Sequence, residues 1–188
     1  MRASLLAAAA LALAACGGQP DFYLLPSPQP VARHASPVGS IAVADISLPA
    51  YVEAMEIAML VGPGVATADR GALWADTPRR ALTRHLIAAL EARLNARVVG
   101  EPWPGYDQPA MRVEVIVDRL IGGPGSGVEF TGQFIIVAPE SGRIVATERF
   151  RVSTAVEGDG PAALVAAEGR AVEGLADRIA ARITGRTS

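Results

Sequence analysis

The chain has 188 residues, enough for one domain of ordinary size, and carries a formal net charge of −2 with arginine as its only strongly basic residue. That balance offers no basic patch of the kind that nucleic acid binding demands. One cysteine, Cys16, excludes an intramolecular disulfide, so the fold has to hold through its apolar core.

The first fifteen residues have the parts of an export signal in the required order. Arg2 supplies the positive start, Leu5 to Ala12 form a short apolar run, and Leu13-Ala14-Ala15 lead into Cys16. The run is too short to span a bilayer, which takes roughly 20 apolar residues. Small residues at Ala14 and Ala15 let a narrow peptidase cleft reach the bond before Cys16. This stretch resembles the lipobox of bacterial lipoproteins. It implies a signal peptide over 1–15, cleavage at Leu13-Ala14-Ala15-Cys16, and Cys16 as the lipidated first residue of the mature chain. The competing reading is an ordinary secretory signal in which Cys16 stands by chance. After the signal, no apolar stretch is long enough to cross a membrane, so the expectation is a chain anchored to a membrane and not inserted through it.

Residues 16–39 read as a lipidated cysteine followed by a tether, because Pro20, Pro26, Pro28, Pro30 and Pro37 favour extended, unpaired backbone. Phe22-Tyr23-Leu24-Leu25 interrupts it with strand-forming composition and could dock as an edge strand, ended by Pro26. Residues 40–188 read as a single domain. Ile41 to Ile46 predicts a strand stopped by Pro49, and Glu56 to Val61 a second, ended by the Gly62-Pro63-Gly64 turn. Thr77-Pro78 predicts a helix start with a capping hydroxyl and a proline at the first position. That helix runs to about Asn95, with Leu82, Leu86, Ala89, Leu90 and Leu94 on one face. Ala81, Ala88 and Ala92 line the opposite side.

Three strands with period-2 alternation follow. Met111, Val113, Val115 and Val117 share one face, opposite Arg112, Glu114 and Asp118. After Gly122-Gly123-Pro124-Gly125, Val128, Phe130, Phe134 and Ile136 alternate with Glu129, Thr131 and Gln133. After Glu140-Ser141-Gly142, Ile144, Ala146, Phe150 and Val152 alternate with Thr147, Arg149 and Arg151. Short turns make these an antiparallel meander with one dry face and one charged face. Leu86 and Leu90 are expected against the dry face. Asp159-Gly160-Pro161 starts a last helix, with Asp159 as its N-cap and Leu164, Ala171, Val172, Leu175, Ile179 and Ile183 as its apolar stripe. Glu168 falls inside that stripe by angle and is expected as an exposed first-turn residue or a rim ion pair. Two amphipathic helices on one face of an antiparallel or mixed sheet make a two-layer α+β fold.

Nothing in the chain assembles a nucleophile, base and orienting acid, or clustered metal ligands, so neither an enzyme nor a cofactor is expected. His34 lies in the proline-rich stretch, and His85 on the flank of a helix stripe reads as a packing or surface residue. The Gly122–Gly127 segment joins two strands and lacks the following helix that a phosphate cradle uses. Partner contact is expected from two places. Trp103, between Pro102 and Pro104, is equally readable as core or contact surface, and Tyr106 could extend its patch. Met55 and Met59, with Ile57, Leu60 and Val61, would expose soft apolar surface on an edge strand, though a core strand is the simpler reading. Trp74 reads as a core plug.

The ordered motifs resemble PqiC-type proteins, auxiliary lipoproteins of MCE (ABC-linked) lipid-transport systems. The match rests on Leu13–Cys16, Phe22-Tyr23-Leu24-Leu25-Pro26, Leu48-Pro49-Ala50-Tyr51-Val52, Leu73-Trp74-Ala75-Asp76, Val98-Val99 before Pro102-Trp103, Arg112-Val113-Glu114-Val115, and Ala162 to Ala167. One departure is Ala54-Met55-Glu56-Ile57-Ala58-Met59, where the family usually places arginines and an Ile-Val pair. The resemblance implies an outer-membrane-anchored, periplasm-facing, non-enzymatic subunit without a cofactor. It would dock on an MCE-domain protein with its permease and ATPase, with self-assembly into a homo-oligomer left open. Gly17 and Gly18 lack the aspartate that retains many such lipoproteins at the inner membrane, which agrees with the outer membrane. The alternatives are a scaffold lipoprotein for outer-membrane protein insertion or cell-wall synthesis, and a lipid-binding lipoprotein working alone.

Overall fold

The computed structural model describes residues 19–186, so the signal segment and Cys16 lie outside the described residues. In chain order the elements are β1 (Asp21–Tyr23), β2 (Ser40–Val43), α1 (Ala50–Glu53), β3 (Glu56–Gly62), β4 (Val65–Trp74), α2 (Pro78–Arg93), β5 (Arg97–Gly100), β6 (Met111–Gly123), β7 (Gly127–Ala138), β8 (Arg143–Thr154) and α3 (Gly160–Thr184). They form an α+β fold with a five-stranded mixed sheet, order β5-β2-β6-β7-β8, and a three-stranded sheet, order β1-β4-β3.

The alternating rows place the larger core. Val113, Val115 and Val117 of β6, Val128, Phe130, Phe134 and Ile136 of β7, and Ala146 and Phe150 of β8 are all buried. Phe130 and Phe150 meet edge to face with ring centroids 4.9 Å apart. Gly132 makes room for this pair, since a Cβ there would lie 2.9 Å from the Phe150 ring. Two irregularities break the alternation. A register shift between Val117 and Arg119 turns Leu120 inward. In β8, Val137 pairs with Ile144 and Ile136 with Ala146, leaving Val145 as an extra residue. Val145 therefore packs on the core, and Ile144, expected inside, is 62% exposed. On the outer face acids and arginines pair across strands: Arg149 with Asp118 at 2.6 Å, and Arg119 and Arg151 with Glu129 at 2.9 and 2.7 Å.

Strand β2 is an interior strand and runs parallel to both neighbours. Because β5 and β6 flank it on opposite sides and run the same way, the connection 101–110 has to cross β2 to return to the start of β6. This accounts for a continuous apolar run in place of alternation. Ile41 and Val43 face one way and Ala42 the other, yet all three are fully buried.

The three-stranded sheet was not foreseen. Strand β3 is where the sequence placed it, and turns through Gly62-Pro63-Gly64 into β4, with Gly64 at φ 71°. Strand β1 pairs in parallel with the end of β4, Tyr23 beside Trp74, at the sheet edge. The two sheets touch at Gly123, where a Cβ would come within 2.3 Å of the Leu60 carbonyl oxygen, so no larger residue fits. The proline-rich stretch lies along the domain. The Gln29 N–H donates to Glu173 Oε2 at 3.2 Å, His34 N–H to the Arg93 carbonyl at 2.7 Å, and Asn95 N–H to the His34 carbonyl at 2.9 Å.

Helix α3 packs across β7 and β8, while α2 packs chiefly on α3 and reaches the sheet at β5. This corrects the expected seat of α2 on the meander. Leu86 and Leu90 are nonetheless fully buried in the common core. Thr77 and Asp159 occupy the N-cap positions as expected, but neither side chain makes a cap bond. Asp76 Oδ1 instead accepts the Thr77 N–H at 2.8 Å. Truncation of Leu90 to Ala should cost about 2–5 kcal/mol and lower the melting temperature by roughly 5–20 °C. Arg84→Ala, on the exposed side of α2, should stay within about 0.5 kcal/mol. Comparable losses from both would show that the buried face of α2 is misassigned.

Candidate functional site

The sequence-derived contact residues fall on two separate surfaces. Trp103 and Tyr106 lie on the 101–110 connection, which is fastened at both ends. The Glu101 N–H donates to the Val43 carbonyl at 2.9 Å, and the Ala110 N–H to Ser40 Oγ at 3.0 Å. Arg112 grips the Glu101 carboxylate, and its hydrogen bonds hold that carboxyl below the usual range. The Trp103 indole is half-buried and donates from Nε1 to the Asp107 carbonyl at 2.7 Å, folding the loop on itself. Tyr106 is wholly exposed, at 111% of its reference area. A large aromatic raised from a loop pinned at both ends costs little further entropy on contact.

Met55 and Met59 belong to the other surface. Met55 is 37% exposed just after α1, and Met59 is half-buried against the core. The hairpin beyond them exposes Val61 at 60% and Val65 at 57%. This hairpin meets the end of β6 at Gly123, whereas the 101–110 loop enters at its start, Met111. A strand of 13 residues spans roughly 40 Å, so the two surfaces are not continuous. Trp74 is a core plug, 3% exposed. An open groove of about 720 Å³ separates Tyr23–Pro28 from α2, with Arg80, Ala81, Arg84 and His85 on the helix side.

Between α2 and α3 the fold buries a polar cluster that sequence reasoning did not assemble. Arg93, 4% exposed, donates from Nε and Nη2 to both Asp177 oxygens at 2.6 and 3.0 Å and from Nη1 to the Ala89 carbonyl at 3.1 Å. Its Nη2 also lies 3.9 Å from Glu173. His85 is 6% exposed, with Nε2 3.1 Å from the Gly169 carbonyl oxygen and 3.7 Å from Glu173 Oε1. Burial pushes the His85 pKa below the usual histidine value, aided by the Arg93 charge and against the pull of Glu173 and Gly169. The neutral ring then donates its Nε2–H to Gly169. The described residues contain no cluster of three or more His, Cys, Asp or Glu side chains that could hold a metal ion.

Glu168 overturns the reading of an exposed or rim residue. It is 4% exposed, Oε2 has no hydrogen-bond partner among the described residues, and burial pushes its pKa up to about 8. Its angular position inside the apolar stripe was the available signal. What the pattern lacked was β4 and the packing of the β3–β4 pair over the first half of α3.

The sign of the His85 effect follows from linkage. Folding lowers its pKa from an unfolded value near 6.5, so the unfolded chain takes up the proton first and stability falls as pH drops through about 6.5. His85→Gln keeps a neutral donor and should flatten the fall in melting temperature between about pH 7 and pH 5. An unchanged acid slope in the variant would remove His85 from the acid response.

The sequence pattern of ABC-type transport auxiliary lipoprotein components matches residues 23–180. Among solved structures, one of an uncharacterized protein superposes with a TM-score of 0.68 at 18% identity, covering 87% of this chain and 97% of that one. A Xanthomonas campestris protein superposes with a TM-score of 0.64 at 20% identity, covering 88% of this chain and 96% of that one. At such identities the likeness shows a shared fold. No curated protein matches the chain in sequence. No helix among the described residues is long and apolar enough to cross a membrane. With its pattern matched from the first strand almost to the end of the last helix, the chain belongs to the family of ABC-type transport auxiliary lipoprotein components, in keeping with its PqiC-type motifs.

Proposed function

We propose that the chain is a non-enzymatic lipoprotein, anchored through Cys16 to the periplasmic face of the outer membrane. In this reading it serves as an auxiliary subunit of an MCE-type intermembrane lipid-transport system. The observation that carries the docking role is the pinned 101–110 connection, which presents Tyr106 fully exposed beside a half-buried Trp103. Aromatic anchors on rigid supports are where interface energy concentrates. The Met55–Val61 edge is the competing surface. A lipoprotein that captured lipid alone would need an enclosed apolar pocket. The groove of about 720 Å³ is instead open and carries Asp76, Arg80 and Arg84 on its walls.

Interface aromatics often contribute about 2 kcal/mol or more when truncated, a loss of roughly thirty-fold in affinity. Tyr106→Ala and Trp103→Ala in the full lipoprotein should each weaken binding to an MCE-domain protein of the same cell by this order. Tyr106→Ala should leave the melting temperature unchanged. Intact affinity in both variants, with loss in Met55→Ala, would move the docking surface to the β3 edge. A large drop in melting temperature for Trp103→Ala would assign that residue to the core. Separately, Cys16→Ser should release the protein from membranes or stall it as an uncleaved precursor, because durable anchoring takes two or more acyl chains. Wild-type protein in the soluble periplasmic fraction would overturn the anchoring, and co-fractionation with inner-membrane markers in a density gradient would overturn the outer-membrane placement.

A further inference from the structure

Four elements converge on Glu168 of α3. Its carboxyl faces a cavity of about 10 Å³ walled by Tyr51 of α1, Glu56 and Ile57 of β3, Trp74 of β4 and Leu120 of β6. That volume is close to the room one water needs. No cation lines it. The titratable groups facing Glu168 are Tyr51, whose hydroxyl accepts the Leu120 N–H at 3.1 Å, and the acid Glu56. Among the described residues, β4 and β6 contribute Trp74 and Leu120 to the cavity walls. The next charges along α3 are engaged elsewhere: Arg170 donates to the Ala155 carbonyl and Glu173 lies by His85 and Arg93. A carboxylate formed here would be desolvated and unpaired, the costliest state for a buried acid.

The two sides of the joint differ in what holds them. Strands β6, β7 and β8 share long antiparallel ladders, with 12 or 13 residues in each strand. The β3–β4 hairpin is shorter, has two register shifts, and exposes Val61 and Val65. Relief of a buried charge follows the weaker side, where local opening requires the fewest broken contacts.

We propose that Glu168 is a proton-controlled joint: protonated, it seals the β1-β4-β3 sheet onto α3, and on ionisation it admits water and loosens β3 and β4 while β6–β8 stay folded. This stands apart from the docking and transport reading and does not depend on it. Burial sets the transition near pH 8, so the joint is closed at neutral pH and opens in mild alkali. The linkage has the opposite sign to that of His85. Folding raises the Glu168 pKa, so its proton-linked stability is complete below the unfolded value near 4.5 and is lost as pH rises toward about 8.

Trp74 reports on the joint directly. In full-length lipoprotein held in detergent micelles, Trp103→Phe leaves Trp74 as the sole tryptophan. Between about pH 6 and pH 9 its emission should shift to the red and its quenching by acrylamide should rise, with a midpoint near pH 8. Adding Glu168→Gln or Glu168→Met should abolish both changes. Hydrogen exchange, corrected for intrinsic rates, should lose protection in β3 and β4 and keep it in β6–β8. The proposal is overturned by a flat response in the Trp103→Phe protein, by the same response in the Glu168 variants, or by equal exchange gains across β6–β8. If neither Glu168 variant folds, infrared spectra of the wild type decide: a buried carboxylic acid band lost across that pH range supports the joint, and its absence overturns it.

Discussion

Thirteen of the 25 residues of α3 are buried, and a helix with so wide a buried arc cannot be covered by a single sheet. One side of it lies on β7 and β8, another against α2, and its first half is closed over by the β3–β4 unit. The two-sheet arrangement follows from that requirement. Without β3 and β4 the stretch around Glu168 would face water. Without α2, Gly169 and Glu173 would lose the cover of His85 and Arg93. The helix thus decides where every other layer sits, and the meander supplies the one flat floor on which it rests.

Two glutamates interrupt that buried arc, and the protein treats them in opposite ways. Glu173 has the Gln29 amide, His85 and Arg93 within reach. Its burial brings together the N-terminal stretch and both long helices. Glu168, five residues earlier, has no donor for Oε2 among the described residues. A buried ion cluster with partners on three chain segments specifies how those segments meet, whereas an unpaired acid adds only a dependence on its proton. His85 and Glu168 push stability in opposite directions with pH: the histidine penalises acid below about 6.5, and the glutamate penalises every rise toward about 8.

Much of the main sheet was legible because its strands alternate, and alternation reports directly on which face is dry. The exceptions have local causes. Ile144 was placed inside because its parity matched Ala146, and the extra residue Val145 reverses that parity. Strand β4 was missed because Val65–Trp74 is buried in strength only toward its end, at Ala72 and Trp74. Its pairing comes from a hairpin and from β1, some fifty residues upstream. Strand β5 is four residues long and is fixed by a parallel partner, β2, which no local pattern reveals. At the candidate contact surface, the prolines around Trp103 marked a constrained segment. That it crosses over β2 follows only from the sheet order. Glu168 stood in plain view within the apolar stripe, and its meaning depended on the layer that covers it.

Backbone pairing from Asp21 onward also sets a length scale. If Cys16 carries the lipid, only about five residues separate the membrane from the first hydrogen-bonded strand, and they reach at most roughly 17 Å. A free stretch to Gly39 would allow roughly 80 Å. With that anchor the globular body would be on a short leash, close to the headgroups and with little freedom to swing. Any partner that docks on Tyr106 has to come within a molecular diameter of the bilayer, and a longer spacer before Asp21 would change the height at which that meeting takes place.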